Sequence, residues 1–78
     1  MNIDIITPDK KLFSGEISAV QFPGTNGSFG ILNNHAPLIA TLKNGEIIIT
    51  DLNKQEKSFA VNGGVVEVLN NNIIVLAD

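Results

Sequence analysis

The residues able to do chemistry are few. One histidine, His35, stands directly before Ala36-Pro37, and Ser14, Ser18, Ser28 and Ser58 offer hydroxyls. Nucleophilic catalysis needs a nucleophile, a base and an orienting group within hydrogen-bond reach. Gly27-Ser28-Phe29-Gly30 comes near a nucleophile elbow, but G-x-S-x-G puts a glycine two residues before the serine, and position 26 is Asn. Glycines at 24, 27 and 30 could line a phosphate cradle, yet no Gly-Lys-Ser/Thr or helix start follows them. A zinc site needs three or four His, Cys or carboxylate ligands, and the chain has one His and no Cys. Its carboxylates, Asp4, Asp9, Asp51, Asp78, Glu16, Glu46, Glu56 and Glu67, match no calcium-loop spacing and read as solvated charges. Catalysis and metal binding are both poorly supported.

The stretch from Phe22 to Ile47 carries a different kind of information. It joins Asn26-Gly27 and Asn44-Gly45 to a Phe22-Pro23-Gly24 corner and to His35-Ala36-Pro37. Pro37 disfavours helical geometry at Ala36, so His-Ala-Pro leads extended into the apolar segment that follows. This is a specific backbone plan with little reactive chemistry in it. It fits a docking surface better than an active site, with His35 either bonding nearby backbone to shape its loop or contacting a partner.

The elements that position these residues are strands. Short β-branched runs recur between turn signals: Asn2–Thr7, Lys11–Phe13, Glu16–Phe22, Ser28–Leu32, Leu38–Leu42, Glu46–Leu52, Lys57–Val61, Val65–Leu69 and Ile73–Leu76. Pro8-Asp9, Ser14-Gly15 and the Asn-Gly pairs at 26, 44 and 62 separate them, since Asn and Gly accept positive φ at low cost. Ten asparagines, among them Asn70-Asn71-Asn72, read as turn punctuation. Nine short strands at this spacing imply an all-β sandwich or barrel. Ile47 to Ile49, Val65 to Val68 and Ile73 to Leu76 place apolar side chains on both faces. One set fills the core, and the other lies at an edge or against a partner.

Seventy-eight residues make one domain, residues 1–78, with a modest core that a covering partner would help stabilise. Five Lys, no Arg and eight carboxylates give a net charge of −3, which argues against nucleic acid. No apolar run approaches the roughly 18–20 residues needed to span a bilayer, so direct membrane insertion is not expected. The first residues lack the basic and apolar regions of a secretory leader. A cytoplasmic protein is the expectation.

Taken in order, Phe13-Ser14-Gly15, Val20 to Gly24, Gly30-Ile31-Leu32, His35-Ala36-Pro37-Leu38, Gly45, Gly63-Gly64, Val66-Glu67-Val68 and Val75-Leu76-Ala77-Asp78 resemble one family. It is the N-terminal domain of the epsilon subunit of rotary ATP synthase, called delta in mitochondria, and the resemblance covers essentially the whole chain. It implies a flattened two-sheet β-sandwich of about ten short strands, with no C-terminal helical domain here and no cofactor. It implies a non-catalytic central-stalk subunit that docks the gamma subunit onto the c-ring and couples ion-driven rotation to ATP synthesis. The alpha/beta catalytic head is an indirect partner, and the location is peripheral, at the cytoplasmic face of a bacterial inner membrane. By the same resemblance Thr7, His35, Ala36, Pro37 and Ala40 meet gamma, and the tip Asn26, Gly27, Ser28 and Phe29 faces the ring.

Two departures stand out. Ser28 replaces a frequent acidic residue, and Asn33-Asn34 replaces Pro-Gly. A third is length: the family usually continues into a helical hairpin that inhibits hydrolysis and can bind ATP, so the sequence predicts a short form without that arm. From another class, a lipoyl- or biotinyl-type carrier domain is also acidic, all-β and of this size. It needs a lysine on a central hairpin, for which Lys43 is the candidate, but Lys43 lacks the Asp-Lys or Met-Lys-Met flank.

Overall fold

A computed structural model describes all residues, 1–78, and contains eight strands with no helix. They are β1 (Asn2–Ile6), β2 (Lys11–Gly24), β3 (Gly27–Leu32), β4 (Leu38–Leu42), β5 (Gly45–Asp51), β6 (Glu56–Val61), β7 (Gly64–Leu69) and β8 (Asn72–Ala77). Hydrogen bonding runs β1-β8-β7-β4-β2-β5-β6, with β3 on β2 and a further pairing of β1 with β2. All pairs are antiparallel except β1 with β8.

β2 makes two layers out of this single path. Its first half pairs with β1 from Lys11 to Glu16, and its second half pairs with β3 and β5 from Ile17 to Gly24. One layer therefore contains β4, β7, β8, β1 and the start of β2; the other contains β3, the end of β2, β5 and β6. Ile3, Ile5, Val66, Val68, Ile73 and Val75 of the first layer and Val20, Phe22, Ile31, Ile47, Ile49 and Val61 of the second form one buried core. β1, β5, β7 and β8 contribute alternate residues to it, as the two-residue period of a strand requires, while β2 contributes Ile17, Val20 and Phe22 across its bulge.

Two strand expectations need correction. Ser14-Gly15 does not break a strand: Ser14 lies opposite Asp4 and Gly15 opposite Ile3, so the ladder with β1 runs straight through. The Ser14 hydroxyl donates to Asp4 Oδ1 at 2.5 Å and reinforces that pairing. The two short runs are one 14-residue strand, which gives eight strands in place of nine or about ten. The irregularities of β2 fall at Leu12, where the register against β1 shifts between Ile5 and Ile6, and at Ser18, where the register against β5 shifts between Ile17 and Ala19.

The turns also distribute their strain differently from the sequence reading. Asn26, Asn44 and Asn62 keep negative φ, and positive φ appears at Gly27, Gly63 and Gly64 and at Asn34, Lys54, Asn70 and Asn71. Leu69 pairs with Asn72, so Asn70-Asn71, with φ of 51° and 63°, form a two-residue hairpin loop. Both central residues left-handed is the arrangement that matches strand twist. Gly64 is irreplaceable for a second reason: a Cβ there would run into the Leu76 carbonyl.

Candidate functional site

Polar chemistry is dispersed across the molecule. No group of three or more His, Cys, Asp or Glu converges. His35 Nδ1 lies 2.8 Å from the Ala36 carbonyl, so the Nδ1–H tautomer donates there and shapes its own loop. Three of the four serine hydroxyls are engaged elsewhere, Ser14 with Asp4, Ser18 with the Thr50 and Asp51 carbonyls, and Ser28 with Gln21, and Ser58 is exposed on β6. No helix is long and apolar enough to cross a membrane.

The arrangement that does stand out is the outward face of the layer β4, β7, β8 and β1. Pairing aligns Thr41, Val65, Leu76 and Ile6 in one row, and Ile39, Glu67, Ile74 and Asp4 in another. Ile39 and Leu76 are 71% and 56% exposed, and Val65 and Ile74 are also exposed. Four exposed aliphatic side chains thus share one face with Glu67 and Asp4, and exposed aliphatic groups gathered on one face are what an interaction site offers. At its edge, Ile6, Thr7, Pro8, Leu76 and Ala77 line a notch of about 240 Å³.

The residues expected to meet gamma frame this face. Thr7 follows β1 at one corner, where its hydroxyl and N–H close the Thr7–Lys10 turn on the Lys10 carbonyl at 3.0 and 2.8 Å. His35, Ala36 and Pro37 are exposed and precede β4 at the diagonal corner. Strand rise and spacing put those corners roughly 20 Å apart. Ala40 lies between them on β4 with its side chain turned toward the core, so Ile39 and Thr41 present β4 outward. Sequence reasoning did not name Ile39, Val65, Ile74 and Leu76 as site residues. The signal was present in the runs that are apolar on both faces, but only the register shows that they share a surface.

The tip lies at the Thr7 end. Thr25 and Asn26 turn β2 into β3, with Asn26, Gly27 and Ser28 exposed. Phe29 points inward, its ring 5.5 Å from that of the buried Phe22, and anchors the tip from below. Thr25 bonds Thr41 twice, N–H to carbonyl at 3.0 Å and hydroxyl to hydroxyl at 2.8 Å. The tip is thereby fastened to β4. A second, smaller groove of about 160 Å³ opens on the other layer where Ala19 and Gly30 lack large side chains.

Comparison with known proteins agrees with this fold. The family model described as "ATP synthase, Delta/Epsilon chain, beta-sandwich domain" matches residues 1–78. The ATP synthase epsilon chain of Chlorobium limicola is 45% identical over 76 residues, which cover 97% of this chain and 86% of that one. A chain from a structure of the Euglena gracilis mitochondrial ATP synthase, comprising OSCP, F1 and c-ring, superposes with a TM-score of 0.90 at 16% identity. That match covers 96% of this chain and 48% of the Euglena chain. A chain from the central stalk and c-ring of the Tetrahymena thermophila mitochondrial ATP synthase superposes with a TM-score of 0.82 at 20% identity, covering 99% and 62%. At such identities the two structures speak to the fold alone, and this chain spans less than two thirds of either. The sequence matches set aside the carrier-domain alternative. The chain belongs to the ATP synthase delta/epsilon family, as its β-sandwich domain.

Proposed function

We propose that this chain is a non-catalytic rotor subunit of a rotary ATP synthase, seated between the gamma subunit and the c-ring. It couples ion-driven rotation of the ring to ATP synthesis in the alpha/beta head. It works peripherally, at the cytoplasmic face of a bacterial inner membrane. Gamma covers the outward face of β4, β7, β8 and β1, touching Thr7 at one corner and His35, Ala36 and Pro37 at the other. Ala40 supports that contact from beneath, and the tip Asn26 to Phe29 turns toward the polar loops of the ring.

The observation that carries this reading is the aliphatic patch Ile39, Val65, Ile74 and Leu76 framed by the two corner segments. Covering these side chains would be favourable at about 25 cal/mol per Å² of apolar surface removed from water. On the opposite layer the exposed Leu32 and Leu52 stand singly, at the end of β3 and just past β5, which favours the β4, β7, β8 and β1 face as the docking side. A torque-transmitting subunit also needs rigidity, which the continuous ladder and the fastened tip provide.

Co-expression with the gamma subunit of the same genome, followed by size exclusion with light scattering, tests the proposal. The expected product is a stable one-to-one complex. A monomer that ignores gamma would leave a member of the family without the assigned partner.

A further inference from the structure

At the end of the sandwich opposite the Thr25-Asn26 tip, asparagines tie together three segments that are distant in sequence. Asn71 is the hub. Its backbone carbonyl accepts the Asn2 N–H at 3.1 Å, and its side-chain Oδ1 accepts the Asn34 N–H at 2.8 Å. Beside it, Asn33 Oδ1 accepts from the Met1 amino group at 2.9 Å. Asn34 and Asn71 both occupy left-handed backbone, with φ of 62° and 63°.

The loop from Asn33 to Pro37 lies outside the strand ladders. The Asn34 N–H is its one backbone group bonded to another segment, and the next residue is His35. We infer that Asn71 is a positioning residue for the docking loop: through Asn34 its side-chain carbonyl holds His35-Ala36-Pro37 in the shape offered to the partner. The inference rests on the reading that this loop meets gamma. It makes the β7–β8 turn, which need not touch the partner, part of the docking apparatus. It also gives Asn2, Asn33, Asn34 and Asn71 a shared place at this end of the sandwich. A Pro-Gly corner stiffens a loop through its own backbone, whereas Asn33-Asn34 needs an external acceptor, and Asn71 provides one.

The test exploits the left-handed conformation at residue 71. Asn71→Gly keeps that conformation and removes the acceptor; Asn71→Asp keeps an Oδ acceptor in a residue that tolerates it. Two readouts are taken on the full chain: affinity for gamma by titration calorimetry, and hydrogen exchange of the Asn34 amide. Removing one hydrogen bond of ordinary net strength weakens binding about fivefold. Asn71→Gly is expected to show that loss together with faster exchange at Asn34, and Asn71→Asp to restore both. Binding by Asn71→Gly at the wild-type affinity, or exchange at Asn34 unchanged from wild type, would overturn the inference. If wild type itself fails to bind gamma, the rotor reading falls, and Asn34 exchange still decides whether Asn71 holds the loop.

Discussion

Thr25 and Thr41 meet hydroxyl to hydroxyl at 2.8 Å, beside the 3.0 Å bond from the Thr25 N–H to the Thr41 carbonyl. The contact links the two-residue turn at the tip to the outer row of β4. The tip and the outward face of β4, proposed to meet two different partners, are thus fastened to each other. Thr41→Val keeps shape and β-propensity but deletes the hydroxyl bond. Urea unfolding should show a loss of about 0.5–1 kcal/mol, the net strength of a single exposed hydrogen bond. Thr25→Val should behave alike, and the double variant should cost less than the sum of the two. Additive losses would mean that the hydroxyls do not interact.

Phe22 is fully buried and supports Phe29 beneath the tip. Phe→Ala in a core costs about 3–5 kcal/mol. A chain of this length has on the order of 4–12 kcal/mol of stability in all, by the usual per-residue figure. Phe22→Ala should therefore consume much of that margin and lower the thermal midpoint sharply, as followed by circular dichroism. Phe22→Leu, which keeps most of the volume, should lose far less.

Gly64 and Gly27 both have positive φ, 145° and 126°, but their surroundings differ. A Cβ on Gly64 meets the Leu76 carbonyl, whereas one on Gly27 has nothing within 4 Å. Gly27→Ala should cost about 1–2 kcal/mol, from backbone conformation alone. Gly64→Ala adds a backbone collision with β8 at the end of the β7–β8 ladder and should be clearly the worse of the two. Equal melting temperatures for the two variants would contradict the geometry.

The strand content was legible because β-branched runs between turn signals leave little alternative, and seven of the nine runs correspond one to one with strands. Ser14-Gly15 misled because a turn-forming pair looks the same in sequence when it sits opposite Asp4 and Ile3 in a ladder. The Asn-Gly pairs misled in a related way. They mark the turns at 26 and 62, but the left-handed strain falls on the glycines, and the hairpin with two left-handed residues is built by Asn70-Asn71.

The proposed docking face was only partly legible. Residue type and order mark His35-Ala36-Pro37 as an extended lead into β4, and the family resemblance groups Ala40 with them, yet strand parity turns Ala40 inward and Ile39 outward. That parity depends on which face of β4 meets the core. The alignment of Val65 with Leu76, and of Glu67 with Ile74, depends on register between strands. Contacts of this kind are long-range, and composition does not encode them locally.

The central claim is that gamma covers the outward face of β4, β7, β8 and β1. The most direct measurement is the affinity of gamma for Ile39→Glu, set beside Ile48→Glu on the other layer, with folding of each confirmed by circular dichroism. Ile39 is 71% exposed, so the charge there leaves the sandwich intact while blocking an apolar contact. The account predicts at least a tenfold loss of affinity, about 1.4 kcal/mol or more, for Ile39→Glu and little change for a folded Ile48→Glu. Wild-type affinity in Ile39→Glu would contradict it, and a loss confined to Ile48→Glu would move the interface to the opposite layer.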